Sequence, residues 1–345
     1  MDNLAHALVG AALGHAVAGS KVPRAGLLGA VAANAPDWTE LFIGLPGDRA
    51  DYLILHRGIT HSFVGALIEA VALTLLVGAA IRWRTGRRAP WEWLSLCIVV
   101  TVASHLYMDW QGSYGLRPFL PWDGTWYYGD WVAIVDPFFW LVPLIALAWG
   151  AERHWIPLAA AGVVGVAATA LLLSSRGLVA PWVLGVYGAL CLVGVIGWTR
   201  YWFGPVGRRR AAALAILVLA LYAGAQGVAA QAAKRSARRA AEGRFGANAG
   251  WAALTEVGRP FTWERIAANA DTVAGEDWRL PRHLADLRVV RALRDTQEGR
   301  AMAQFARFLT ADVDSSGTGV TVYLRDARYA RTALSGWGVV PVRMD

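Results

Sequence analysis

Six runs of mainly apolar residues divide the first 230 positions: Phe63–Ile81, Leu94–Met108, Trp131–Trp149, Trp155–Leu173, Pro181–Trp198 and Ala211–Ala229. A helix needs roughly 20 such residues to cross a bilayer, so each run meets or approaches the length of a span. Two weaker runs precede them, Leu4–Gly19 and Ala25–Ile43, which are shorter or carry polar groups. The pattern predicts an all-α polytopic membrane bundle of about eight hydrophobic segments. The first run is read as mature structure, because Asp2 is the only early charge and a signal peptide needs a basic start.

From about Ala230 the pattern changes. Residues 230–244 are alanine-rich and basic, and predict a helix. Helical periodicity returns over Ala285–Leu309. Val320–Leu324 and Val339–Val342 alternate like short strands, with Gly317, Gly319, Gly336 and Gly338 at the turns. Two domains follow: a transmembrane domain over 1–230, and over 231–345 a basic helix with a small α+β soluble domain. Trp251, Trp263 and Trp278 are placed to press that domain on a membrane surface or on the outer loops.

Composition agrees with a membrane protein. Mean hydropathy is +0.38 and charged residues make up only 17%. The net charge of +8 would suggest nucleic acid in a soluble protein; here basic residues set topology, and no nucleic-acid partner is expected. With the N-terminus outside the cytoplasm, the inner loops hold Lys21, Arg24, Arg82, Arg84, Arg87, Arg88, Arg153, Arg200, Arg208, Arg209 and Arg210. The outer connections through residue 180 hold only Arg49, Arg57, Arg117 and Arg176. The bias favours that orientation. Lys234, Arg235, Arg238 and Arg239 run against it. Cys97 and Cys191 lie inside apolar runs and suggest neither a disulfide nor a thiolate site.

In this topology the polar exceptions share the outer face: His6, Asp37, His56, His61, His105 and Asp109. His105 and Asp109 are spaced i, i+4, so on a helix they share one side and can bind one ion. Imidazole and carboxylate suit zinc, manganese or iron. An ionisable residue at a span's end is costly unless paired or liganded. The alternative for each is structural: a His–Asp hydrogen bond, a helix cap, or an ion pair of Asp37 with Arg57 or Arg49. Arg57 cannot ligate metal but can clamp a phosphate or carboxylate oxygen. Glu40 and Asp130 are further catalytic candidates. Asp136 is a candidate for holding a ligand imidazole by its second nitrogen. Thr60 and Ser62 suit a helix cap, and His15 reads as structural.

The blocks MDNLAHALVG, NAPDW, HRGITHS, SHLYMDWQGSYGLRPFLPW and GDWVAIVDPFFW, in this order over residues 1 to about 145, resemble the YdjM-like family of bacterial membrane-bound, metal-dependent hydrolases. LRDARY at 324–329 looks like the tail of the longer members. The resemblance carries the family motif onto His6, Asp37, His56, His61, His105 and Asp109. Many members have P-D-x-D where this chain has Thr39, with Glu40 adjacent. The resemblance also implies a distant similarity to zinc-dependent phospholipase C and P1 nuclease, which are helical and cleave phosphoesters.

The expectation is a multi-pass protein of the cytoplasmic (inner) membrane, with its site and C-terminal domain extracytoplasmic. It would hold a divalent metal, Zn²⁺ or Mn²⁺. Six ligands exceed one zinc's four, which allows two ions. A site at headgroup level favours a membrane lipid or lipid-linked phosphate as substrate. Two other readings stay open. A metal-dependent amidase or peptidase is weakened because no span carries H-E-x-x-H. A transporter or non-enzymatic metal-binding membrane protein is weakened because the polar residues sit at helix ends and no repeat is visible. The sequence does not speak to oligomeric state.

Overall fold

A computed structural model describes residues 1–39, 49–151, 155–204, 207–316 and 319–344. The chain forms two compact units, one of residues 1–38, 59–228 and 255–262, the other of 39–58, 229–254 and 263–345.

Among the described residues, five helices are long and apolar enough to cross a membrane. They are α4 (Phe63–Thr85), α5 (Trp91–Gln111), α7 (Trp155–Ser174), α8 (Pro181–Thr199) and α9 (Arg208–Phe245). The expected count of about eight is not supported. The first run is α1 (Asn3–Ala18), 16 residues long. The second yields only α2 (Ala25–Ala32), which gives way to the 3-10 turn Ala35–Thr39. Pro36 accounts for the stop: it has no N–H to bond the Ala32 carbonyl four residues back, and its ring crowds that carbonyl. The Trp131–Trp149 run is helical only as α6 (Pro137–Trp149), because Asp136 caps it and Pro137 opens it. Proline is at home at that first position, where its missing N–H has no helical partner anyway.

Within the first unit, α1 packs along α2, and α5 lies beside both. Gly10 and Gly29 make this approach possible: a Cβ on Gly10 would overlap the Gly29 carbonyl oxygen. α4 and α5, joined by a tight link at 86–90, bury Ala66 and Ala70 against Ile98, Val102 and Leu106. Asp2 caps α1, and Trp140 of α6 donates its indole N–H to that carboxylate at 2.9 Å. Ser62 caps α4, accepting from Gly65 N at 3.0 Å and donating to the Ile59 carbonyl at 2.7 Å.

The second unit contains the short α3 (Arg49–Leu55), which packs on α11 (Gln297–Phe305). Gln297 donates to Asp51 at 2.7 Å, and Tyr52 meets Trp337 edge-on. Its sheets are antiparallel where strands pair: β1 (Gly250–Thr255), β2 (Trp263–Ala268), β3 (Thr272–Ala274) and β4 (Arg279–Pro281) in one, and β5 (Leu309–Asp314), β6 (Val320–Asp326) and β7 (Val339–Met344) in the other. In the second sheet Val322 pairs with both Val313 and Val342, so apolar residues align on its buried face. The single helix expected over 285–309 is two, α10 (Leu287–Asp295) and α11, broken at Thr296, which caps the second.

Candidate metal centre

Five predicted residues meet inside the first unit, all buried: His6 from α1, Asp37 from the 35–39 turn, His61 from the turn before α4, and His105 and Asp109 from α5. Local structure sets each one. The i, i+4 spacing puts His105 and Asp109 on one side of α5, with His105 Nε2 3.5 Å from Asp109 Oδ2. The Ser62 cap and the close seat of Gly65 under Ile59 hold the turn that carries His61. The end of α2 brings the Ala33 carbonyl to 2.6 Å from His105 Nδ1.

That contact fixes a tautomer. A carbonyl oxygen only accepts, so His105 Nδ1 carries the proton and the neutral ring's Nε2 presents a lone pair. His61 Nδ1 lies 3.1 Å from the Thr60 hydroxyl, which can donate or accept, while its Nε2 faces the Asp37 carboxylate, which only accepts. The two Nε2 atoms then face each other at 3.0 Å. Asp37 Oδ1 lies 3.1 Å from His61 Nε2 and 3.5 Å from His105 Nε2. Asp109 Oδ2 lies 3.5 Å from His61 Nε2. With the His61 Nε2 proton displaced, both Nε2 lone pairs and the carboxylate oxygens face one buried space where a cation could be held.

His6 stands one step out. Its ring stacks on His105, with centroids 3.8 Å apart, and its Nε2 meets the other oxygen of Asp109, Oδ1, at 3.2 Å. The Met1 amine touches the same oxygen. Two groups of donors could hold a metal ion: His6, His105 and Asp109; and Asp37, His61 and His105. Both use His105 Nε2, since Nδ1 is committed to Ala33.

Protonation states suit metal. Burial pushes the His61 imidazole down to about 4, against the pull of its Asp37 hydrogen bond. Burial opposes the Asp37 charge, but the hydrogen bond from His61 and the nearby imidazoles hold that carboxyl well below its usual range. Neutral imidazole and ionised carboxylate are the forms a metal requires.

The profile of the YdjM inner membrane protein family matches residues 1–183. The chain belongs to this family. No curated protein and no solved structure matches it. Membership and the apolar helices make it an inner membrane protein.

The YdjM match covers every donor of both groups. His56 is in neither; it follows α3 in the second unit, its ring stacked on Tyr52 at 4.8 Å. Arg57 also belongs to the second unit and takes a left-handed backbone, φ 50°. Glu40 lies outside the described residues. Asp130 is buried with φ 51° but joins neither donor group. Among the described residues Asp136 holds no ligand imidazole: it caps α6 through Phe138 N at 2.9 Å and accepts from the Tyr222 hydroxyl at 2.7 Å. Burial there pushes its carboxyl up to about 6.

Glu69 is the residue that sequence reasoning missed. It is the single acid in the run Phe63–Ile81 and stands half-buried on α4 next to the buried Ala70. A lone acid within an apolar span was the available signal.

Proposed function

We propose that this chain is a membrane-bound, metal-dependent hydrolase that cleaves a phosphoester of a lipid or lipid-linked substrate at the extracytoplasmic interface. The observation that carries the metal is the convergence of Asp37, His61, His105 and Asp109. Five distances between their donor atoms are 3.0, 3.1, 3.5, 3.5 and 3.5 Å. Zinc bound to nitrogen and oxygen at about 2.0–2.1 Å requires donor separations of roughly 3.3–3.4 Å. Two carboxylates and two neutral imidazoles also match a 2+ charge. His105 offers one free nitrogen, so this set favours one ion over two.

A divalent ion held there supplies Lewis acidity, bringing a water's pKa towards neutrality and polarising an ester oxygen. The chain's own part is positioning. Ala33 and Thr60 aim the two imidazoles, and His6 holds the second oxygen of Asp109. A lipid substrate is favoured by an apolar cavity of about 540 Å³ between α4 and α5, lined by Phe63, Ala66, Ala70, Val102, Leu106 and Phe119. It runs along the same helix pair that carries His105 and Asp109. The extracytoplasmic side is favoured by the distribution of basic loops.

A structural or storage metal site is the second reading, favoured by the four donors, which is the number of a closed zinc site. One experiment separates the two. Full-length protein is loaded with zinc in nanodiscs of phosphatidylethanolamine and phosphatidylglycerol, with and without added polyprenyl monophosphate. Headgroup and phosphate release are then followed for wild type, His105→Ala and Asp109→Ala. Release that depends on zinc and on both residues supports the hydrolase. Zinc-loaded wild type that cleaves none of these lipids overturns it.

A further inference from the structure

Glu69 stands on α4, the helix packed beside the one that carries His105 and Asp109. α4 begins at Phe63 and α5 ends at Gln111, and the helices pack side by side. Glu69 is six residues in from one end and His105 six from the other, so each is about 9 Å along its axis. The two therefore stand at one level. Ala66, one turn before Glu69, and Ala70, the residue after it, are buried in one cluster with Val102 and Leu106, which flank His105. The Glu69 carboxyl lies within electrostatic reach of His105 and Asp37. It belongs to neither donor group. Its Oε2 is shielded from solvent and has no hydrogen-bond partner among the described residues.

A carboxyl in a bilayer span is expensive, and such residues are kept where they pair or carry protons. Packing does not call for an acid here: the neighbouring Ala66 and Ala70 carry only methyl groups, and the span is otherwise apolar.

We propose that Glu69 is the general base of the metal centre, an assignment that rests on the hydrolase reading. Its carboxylate takes a proton from the attacking water as the water's oxygen bonds to phosphorus. The ester P–O bond then breaks, and Glu69 returns the proton to the leaving oxygen. Atoms and charge balance without another reactant. A general base of this kind acts directly or through one water.

The test uses full-length protein in the nanodiscs above, as wild type, Glu69→Gln and Glu69→Asp, with bound zinc measured by mass spectrometry. Glu69→Gln is expected to keep wild-type zinc and KM while kcat falls about 10²–10⁴-fold, the usual contribution of a general base. Glu69→Asp, which keeps the carboxyl, is expected to recover part of kcat. Should Glu69→Gln not fold, Glu69→Leu, which suits an apolar span, is measured in the same way. An active wild type with an equally active Glu69→Gln overturns this assignment alone. Loss of zinc in Glu69→Gln also overturns it, by making Glu69 a ligand. An inactive zinc-loaded wild type removes the hydrolase reading, and the base with it.

Discussion

His61→Ala is the sharpest perturbation of the centre. His61 Nε2 makes the two shortest of the five donor distances, 3.0 Å to His105 and 3.1 Å to Asp37. Four-ligand structural zinc is bound with an apparent 10–16 kcal/mol at neutral pH, or about 2.5–4 kcal/mol for each donor if shared evenly. At about 1.4 kcal/mol per tenfold, losing one donor weakens zinc roughly 10²–10³-fold. Thr60→Val removes only the group that orients His61 Nδ1, and orienting partners are worth about 10–100-fold. His56→Ala removes a neighbouring imidazole that is in neither donor group, and leaves affinity unchanged. The assay is zinc competition against a chelator series, using full-length protein in detergent, with bound metal counted by mass spectrometry. The expected order of loss is His61 above Thr60 above His56. A His61→Ala protein that binds zinc as tightly as wild type refutes the reasoning. So does a His56→Ala protein that loses as much as His61→Ala.

Chelation removes the cation from converging acceptors, so the melting temperature of wild type falls and zinc restores it. With free zinc at 1,000 times Kd the linkage is worth about 4 kcal/mol, and His61→Ala shows little of it. Gly65→Ala places a Cβ against the Ile59 carbonyl oxygen and displaces the turn that carries His61, lowering both melting temperature and zinc affinity. The Asp136 carboxyl, raised from 3.8 to about 6 by burial, favours the folded state in its neutral form. That stability is complete below pH 3.8 and is lost as pH rises through 6. At 1.36 kcal/mol per unit it is on the order of 3 kcal/mol, so in thermal melts wild type loses about that much stability relative to Asp136→Asn between pH 4 and 7. A cysteine at the exposed Thr125 is expected to react with a membrane-impermeant maleimide on intact spheroplasts; labelling only after lysis would reverse the orientation.

The long spans were legible because an apolar run of that length has no other solution in a bilayer, and α4, α5, α7 and α8 begin and end within a few residues of the runs that predict them. His61, His105 and Asp109 were legible for the opposite reason, as polar residues set against apolar sequence. What escaped depends on contacts distant in sequence. Nothing local in Arg49–Leu55 says that it packs on Gln297–Phe305, which is why His56 and His61, five residues apart, fall in different units. Strands of three residues such as Thr272–Ala274 carry too little alternation to be seen. Asp136 before Pro137 is a local cap signature, and it competes with the functional reading of a buried acid.

Asp109 is the donor on which a four-ligand centre and a reaction can be reconciled. A catalytic zinc keeps a position for water, whereas four protein donors close the sphere. Among the four, Asp37 Oδ1 is hydrogen-bonded by His61, and the two imidazoles are locked by Ala33 and Thr60 through their second nitrogens. Asp109 is drawn elsewhere by its second oxygen, towards His6 and the Met1 amine. In the proposed hydrolase His6 therefore does not serve as a fifth ligand; it gives Asp109 Oδ1 a partner, so that Oδ2 can leave the donor set at modest cost. Removing His6 would strengthen Asp109's hold on the cation while closing the position that water needs. Tighter metal with slower turnover is thus the expected pairing, and it is the reverse of what the loss of an ordinary ligand produces.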